Sequence, residues 1–231
     1  MEIDEFKEIK IESELFQRPS RLIVYGGSYS GKSFMIQKLV LRHHSNFKKI
    51  IICGTKNELL KYPETKLKTE FYDEESSPIF DPFKAGNQFE QNGDDRQTLI
   101  ILDDVMSEAF NSQVVNKMFS RGRHLNLSVI LILQSFFPQG SGKSLIPMMK
   151  NNCSHQLFFK LRNPAEVALA SKKLEYDKKS QEFFLNLIKQ EVNEKKFGYI
   201  IVYMDENNQK ARYRSNLLFE DGTSYETVHF R

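Results

Sequence analysis

The segment Gly26-Gly27-Ser28-Tyr29-Ser30-Gly31-Lys32-Ser33 fits the pattern G-x-x-x-x-G-K-[ST]. Residues 21–25 before it read as a short buried strand. Residues 34–43 after it carry Met35, Leu39 and Val40 at helical spacing. A strand, a glycine-rich turn and a helix in that order leave few folds open. Glycines let successive backbone N–H groups turn toward an anion, and the helix start adds the positive end of its dipole. Lys32 brings a point charge to the outer phosphates, and Ser33 a hydroxyl suited to Mg²⁺. Gly26, Gly27, Ser28, Tyr29, Ser30, Gly31, Lys32, Ser33 and the following Phe34 are therefore the candidate nucleotide-binding residues.

Residues 49–54 form a second expected strand, which completes one β-loop-α-β unit and points to a parallel sheet. Residues 98–102, 127–133 and 155–161 add three more strands. Their apolar runs lack alternation, as in strands buried on both faces. Helices are expected over 107–120, 147–151, 164–174 and 180–191. Residues 197–204 and 211–218 flank Asp205-Glu206-Asn207-Asn208 and read as a β-hairpin. Residues 1–20 read as a polar lead-in, 55–97 as short helices and exposed loops, and the tail as polar. The expected fold class is α/β: a P-loop NTPase of one domain over 1–231. Its core spans 21–162, and 163–231 supplies C-terminal helices and the hairpin.

Leu99-Ile100-Ile101-Leu102-Asp103-Asp104 supplies the matching acids. Asp103, at a strand end, suits a Mg²⁺ site, and Asp104 suits orienting or deprotonating the attacking water. Gln134 ends the 127–133 strand, where ligands of open parallel sheets sit, and its amide can bond both water and phosphate. Gly140-Ser141-Gly142-Lys143-Ser144 also contains Gly-Lys-Ser. Phe137 stands there in place of the first motif glycine, so the segment reads as an exposed basic loop. Between a helix and a strand lies Arg121-Gly122-Arg123-His124-Leu125-Asn126-Leu127-Ser128-Val129-Ile130. Its arginines suit a finger reaching a neighbouring subunit's nucleotide, a nucleic-acid contact, or the macrodipole of the preceding helix.

Taken together, the P-loop, the double-acid strand end, Arg-Gly-Arg-His-x-Asn-x-Ser-Val-Ile and the strand ending in Gln resemble the DNA-packaging ATPases of poxviruses, giant DNA viruses, virophages and related mobile elements. These belong to the FtsK/HerA superfamily. The resemblance runs from about Arg21 to Arg162. It implies a RecA-like sheet with the Gln134 strand between the P-loop strand and the Asp103 strand. It implies ATP and Mg²⁺ as ligands, and a homo-oligomeric ring, five- or sixfold, that pumps double-stranded DNA into a capsid through a vertex or portal-type component. Lys32 and Ser33 are then the P-loop pair, Asp103 the metal acid, Asp104 the catalytic acid and Gln134 the sensor. Many relatives place Glu at the Asp104 position, so the shorter side chain puts its reach in doubt. Arg123 is the preferred finger, with Arg121 and Arg162 retained. Lys143, Lys172 and Lys173 are candidate DNA contacts, beside Lys178 and Lys179, each also readable as a solvated face.

The 231-residue chain is 40% hydrophobic and 27% charged, with a formal net charge of +3, which permits an anionic partner without demanding one. Cys53 and Cys153 are far apart and read as buried thiols of a reducing compartment. The five histidines lack metal-ligand spacing. The N-terminus has no signal-peptide core and no apolar run is long enough to span a membrane. A soluble, intracellular protein is expected, acting in host cytoplasm or at a viral assembly site, with association with the virion as a further option. Two other functions fit parts of the pattern: a P-loop small-molecule kinase, and a slow nucleotide-gated DNA clamp.

Overall fold

The computed structural model describes residues 8–55, 68–72, 96–103, 113–136, 146–204, 212–220 and 223–229. Its strands are β1 (Glu8–Glu12), β2 (Arg21–Tyr25), β3 (Phe47–Gly54), β4 (Lys68–Tyr72), β5 (Gln97–Asp103), β6 (Leu127–Leu133), β7 (His155–Phe158), β8 (Ile200–Tyr203), β9 (Tyr213–Glu220) and β10 (Thr223–His229). The helices are α1 (Lys32–Arg42), α2 (Gln113–Arg121), α3 (Ile146–Asn152), α4 (Pro164–Leu174) and α5 (Lys178–Leu187). All ten strands join one sheet in the order β1-β10-β9-β8-β7-β2-β6-β5-β3-β4. From β7 to β4 every pairing is parallel. From β7 back to β1 every pairing is antiparallel. β6 lies between β2 and β5, as the family resemblance implies.

The continuous apolar runs are explained by two cores, one on each face. Leu22, Val24, Ile50, Ile52, Leu99 and Ile101 pack with Met35, Ile36 and Leu39 of α1. Their sequence neighbours Ile23, Tyr25, Ile51, Ile100 and Leu102 pack with Val115 and Phe119 of α2, Met149 of α3, Leu174 of α4 and Phe184 of α5. Alternate residues point to opposite faces, and here both faces are dry. Each such side chain, fully buried, is worth about 1.5–3 kcal/mol.

Three sequence expectations are corrected. Residues 68–72, expected to be loop or short helix, form the parallel edge strand β4. Its sequence, KTEFY, has the charge and shortness of an edge strand and little apolar signal. Residues 8–12 are not a lead-in but strand β1, paired with β10 in what was expected to be a polar tail. The hairpin is real, with Ile201 opposite Arg214, but it belongs to a four-strand antiparallel extension. The physical reason is that buried positions here are often polar: Arg214, Ser215, Glu226 and His229 are all buried. Arg214 pairs with Glu226 and Ser215 Oγ with His229 Nε2, so hydropathy alternation does not mark these strands. The helix expected over 107–120 is described only as α2; residues 107–112 lie outside the described residues. α5 begins earlier than expected and runs into a π-helical turn, Ile188–Asn193. Cys53 and Cys153 are free thiols, the first half-buried and the second buried.

Glu226 ties the extension together. Ser13 Oγ donates to its Oε1 at 2.7 Å, and the Tyr203 hydroxyl donates to its Oε2 at 2.7 Å. Arg214 Nη1 lies 3.3 Å from Oε2, with its guanidinium 3.6 Å from the centre of the Tyr203 ring. Burial pushes the Glu226 carboxyl upward, against the pull of the two hydroxyls and the guanidinium. Removing one member of a buried ion pair costs about 3–5 kcal/mol. Glu226→Ala should therefore lower the unfolding free energy by that much, read as a lower urea midpoint at an unchanged m-value. A loss below about 1 kcal/mol, the range of an exposed pair, contradicts this role.

Candidate nucleoside triphosphate site

β2 ends at the buried Tyr25, and the chain turns at once into the loop. The Gly26 N–H donates to the Leu133 carbonyl at 3.2 Å and the Gly27 N–H to the Lys160 carbonyl at 2.9 Å. These bonds hold the loop's start between the ends of β6 and β7. Gly31 caps α1 at φ +99°, a conformation that disfavours a side chain. The first turn of α1 carries no acid, so its N–H groups face no competing carboxylate of that turn.

Lys32 is buried, and its Nζ donates to the carbonyls of Gly26 (2.6 Å) and Gly27 (2.8 Å). The cation thus lies within the loop. Ser33 Oγ donates to Asp103 Oδ2 at 3.5 Å, and Asp103 is buried at the end of β5. Two hard oxygen donors from opposite sides of the site are therefore adjacent, a donor set that fits Mg²⁺ completed by water and phosphate. A cavity of about 490 Å³ is lined by residues 28–34 with Asp103, Ile132, Gln134 and Phe197. Lys32, Ser33, Asp103 and Gln134, chosen from sequence far apart, meet there.

Other expected residues lie elsewhere. Asp104 and Lys143 fall outside the described residues. Arg162 packs on the loop of its own chain: a β-carbon at Gly27 would stand 2.8 Å from Arg162 Cγ. Arg121 ends α2, and Arg123 lies in the 3-10 turn Gly122–Leu125. Both are exposed and precede β6, whereas Gln134 follows it. Seven strand residues, at about 3.3 Å each, separate them from the cavity by roughly 20 Å. Lys172 and Lys173 are exposed in the last turn of α4. Among the described residues no cluster of His, Cys, Asp and Glu suits a metal, and no helix is long and apolar enough to cross a membrane.

Sequence reasoning missed two site-shaping residues. Glu166 Oε2 accepts from Ser135 Oγ at 2.9 Å and from the Phe136 N–H at 2.7 Å. The segment directly after Gln134 is thereby fixed to the first turn of α4. Phe197, read as part of a hairpin strand, lies before β8 and lines the cavity instead. No local pattern announces either contact, because each joins elements distant in sequence.

This architecture is that of P-loop ATPases of known structure. The chain is similar to the genome packaging NTPase B204 from Sulfolobus turreted icosahedral virus 2 in complex with ATP-gammaS, at 17% identity and TM-score 0.56. That alignment covers 81% of this chain and 93% of that one. The same NTPase in complex with AMPPCP aligns at 18% identity and TM-score 0.57, over 80% and 93% of the two chains. EssC (ATPases 2 and 3) from Geobacillus thermodenitrificans aligns at 13% identity and TM-score 0.54, over 91% of this chain and 39% of that one. At such identities the likeness is one of fold. Comparison with curated proteins finds no match. The family described as Poxvirus A32 protein matches residues 7–221, a span that takes in the loop, Asp103, Gln134 and both strands of the hairpin. The chain belongs to the Poxvirus A32 protein family.

Proposed function

We propose that the chain is a Mg²⁺-dependent ATPase whose turnover drives double-stranded DNA into a preformed capsid. The carrying observation is the meeting of Lys32, Ser33, Asp103 and Gln134 in one cavity at the ends of three adjacent parallel strands. The viral NTPase with the same fold is described as a genome packaging enzyme and is seen with ATP-gammaS and AMPPCP. That supports ATP as the nucleotide and a viral genome as the cargo.

In this reading the loop N–H groups and Lys32 take the charge of the outer phosphates. Ser33 and Asp103 hold Mg²⁺, which when bound offsets phosphate charge. Gln134 orients water against the terminal phosphate, and Asp104 accepts the proton of that water. Arg162, packed on its own loop, acts within the chain. Arg121 and Arg123, at the far end of the sheet, are suited to a neighbour's nucleotide. A ring of five or six chains then completes each site across an interface, with Arg123 as the finger. Lys143, Lys172 and Lys173 touch DNA phosphates, as a motor indifferent to sequence requires. The ring acts at the capsid vertex or a portal-type component, where virions assemble.

Lys32→Ala should lower DNA-stimulated ATP hydrolysis by about a hundred- to thousandfold, the loss that follows removal of one preorganised charge donor. A phosphate-release assay reads it, and a phosphorylated acceptor in place of free phosphate would mean a kinase. Arg123→Ala should keep ATP binding and lose turnover. Mixed with Asp104→Asn chains it should regain activity, because some interfaces then pair an intact arginine with an intact carboxylate. Mixtures as inactive as either variant would refute a finger acting between chains.

A further inference from the structure

Phe197 is a large apolar side chain left 53% exposed, with φ at +59°. A bulky residue at positive φ is an outlier that persists only where its surroundings dictate it. The surroundings do so here. The π-helical turn Ile188–Asn193 ends in a backbone bond from the Glu194 N–H to the Lys189 carbonyl at 3.1 Å. Lys195 Nζ donates to both Glu191 carboxylate oxygens at 2.7 Å, and Ser215 Oγ of β9 donates to Glu191 Oε2 at 2.8 Å. Gly198 follows at a place without room for a side chain: a β-carbon there would stand 2.0 Å from the Glu191 carbonyl oxygen. Tyr199 then accepts from the Leu217 N–H at 2.7 Å. Glu191, Lys195 and Tyr199 thus anchor the segment on both sides of Phe197, whose half-exposed ring has Lys196 Nζ 5.4 Å from its centre and otherwise opens on accessible space.

That space is the triphosphate cavity. A β-carbon at Gly31 would stand 3.1 Å from Phe197 Cδ1, and the ring lines the same cavity as Lys32, Asp103 and Gln134. It also borders a second cavity of about 280 Å³, on the side of Tyr29 and Lys160. Tyr29 and Phe34 are exposed aromatics of the loop itself. Lys38 Nζ already stands 4.5 Å over the Phe34 ring. Phosphates fixed by Lys32 and Ser33 leave the sugar and base to extend beyond the loop. Phe197 is, among the described residues, the one aromatic wall of the cavity that comes from outside the loop and α1.

We infer that Phe197 is the platform on which the base of the bound nucleoside triphosphate stacks, and that it selects for a base without choosing among bases. The inference rests on the nucleoside-triphosphate reading of the cavity. Stacking on an aromatic face is tolerant of base identity because every base offers a π-face. Specificity between bases instead needs polar partners for their edges, and among the described residues of the triphosphate cavity Lys32, Ser33, Asp103 and Gln134 are committed to the phosphates, their metal ion and water in this reading.

The test is titration of the full chain in Mg²⁺ with ATP, GTP, CTP, UTP and base-free tripolyphosphate. The wild type should bind the four nucleotides within about fivefold of one another and each about tenfold tighter than tripolyphosphate, as one stacking contact implies. Phe197→Ala should remove that tenfold advantage and leave tripolyphosphate binding unchanged, which also shows the loop still folded. Phe197→Tyr should keep it. Equal loss for nucleotides and tripolyphosphate, or no loss at all, overturns the inference. A wild type that prefers one base by a hundredfold overturns its second half. A wild type that binds neither nucleotide nor tripolyphosphate overturns the nucleotide reading and this inference with it.

Discussion

The start of the candidate phosphate-binding loop is fastened on both sides by backbone hydrogen bonds, Gly26 to Leu133 and Gly27 to Lys160. Buried backbone groups at a strand end must find partners, and these find them on the two neighbouring parallel strands. The consequence is geometric. Gln134 directly follows Leu133, and Arg162 follows Lys160 by two residues, so both are brought to the loop by the same bonds. Asp103 arrives one strand further along, through the β5–β6 pairing. A sheet buried on both faces keeps this register fixed, because a slip would cost apolar contacts on two sides at once.

How much of this was legible in the sequence follows the range of the contacts. Gly26 to Ser33 is one local unit whose spacing states its own geometry. Asp103 and Gln134 could be picked because each ends a long apolar run, a position that parallel sheets devote to ligands. Their adjacency was not visible in the residues themselves and came only from the family resemblance. β1 and β10 were missed because Ser13, Arg214 and Glu226 satisfy each other inside the sheet, and polar residues in a strand hide its alternation. β4 was missed because an edge strand with lysine and glutamate looks like a loop. Phe197 gave no signal because its meaning depends on Gly31, which lies at the other end of the fold's sequence order.

The two halves of the sheet divide the work. The parallel half builds the candidate phosphate site at the C-terminal ends of its strands and carries Arg121 and Arg123 at the opposite, N-terminal end of β6. The antiparallel half, held by Glu226 and by Glu191, sets the segment that carries Phe197. A single chain therefore has its candidate phosphate loop at one end of the parallel strands and its candidate finger at the other. That sidedness suits the proposed head-to-tail ring, in which heterologous contacts would close on themselves.

The central claim is that each site becomes competent only when a neighbour completes it. ATP turnover per chain, measured with DNA present as chain concentration is lowered through the assembly range, tests this most directly. The account predicts that turnover per chain falls steeply as rings come apart, while nucleotide binding by single chains persists. Turnover per chain that stays constant down to fully dissociated monomers would contradict it.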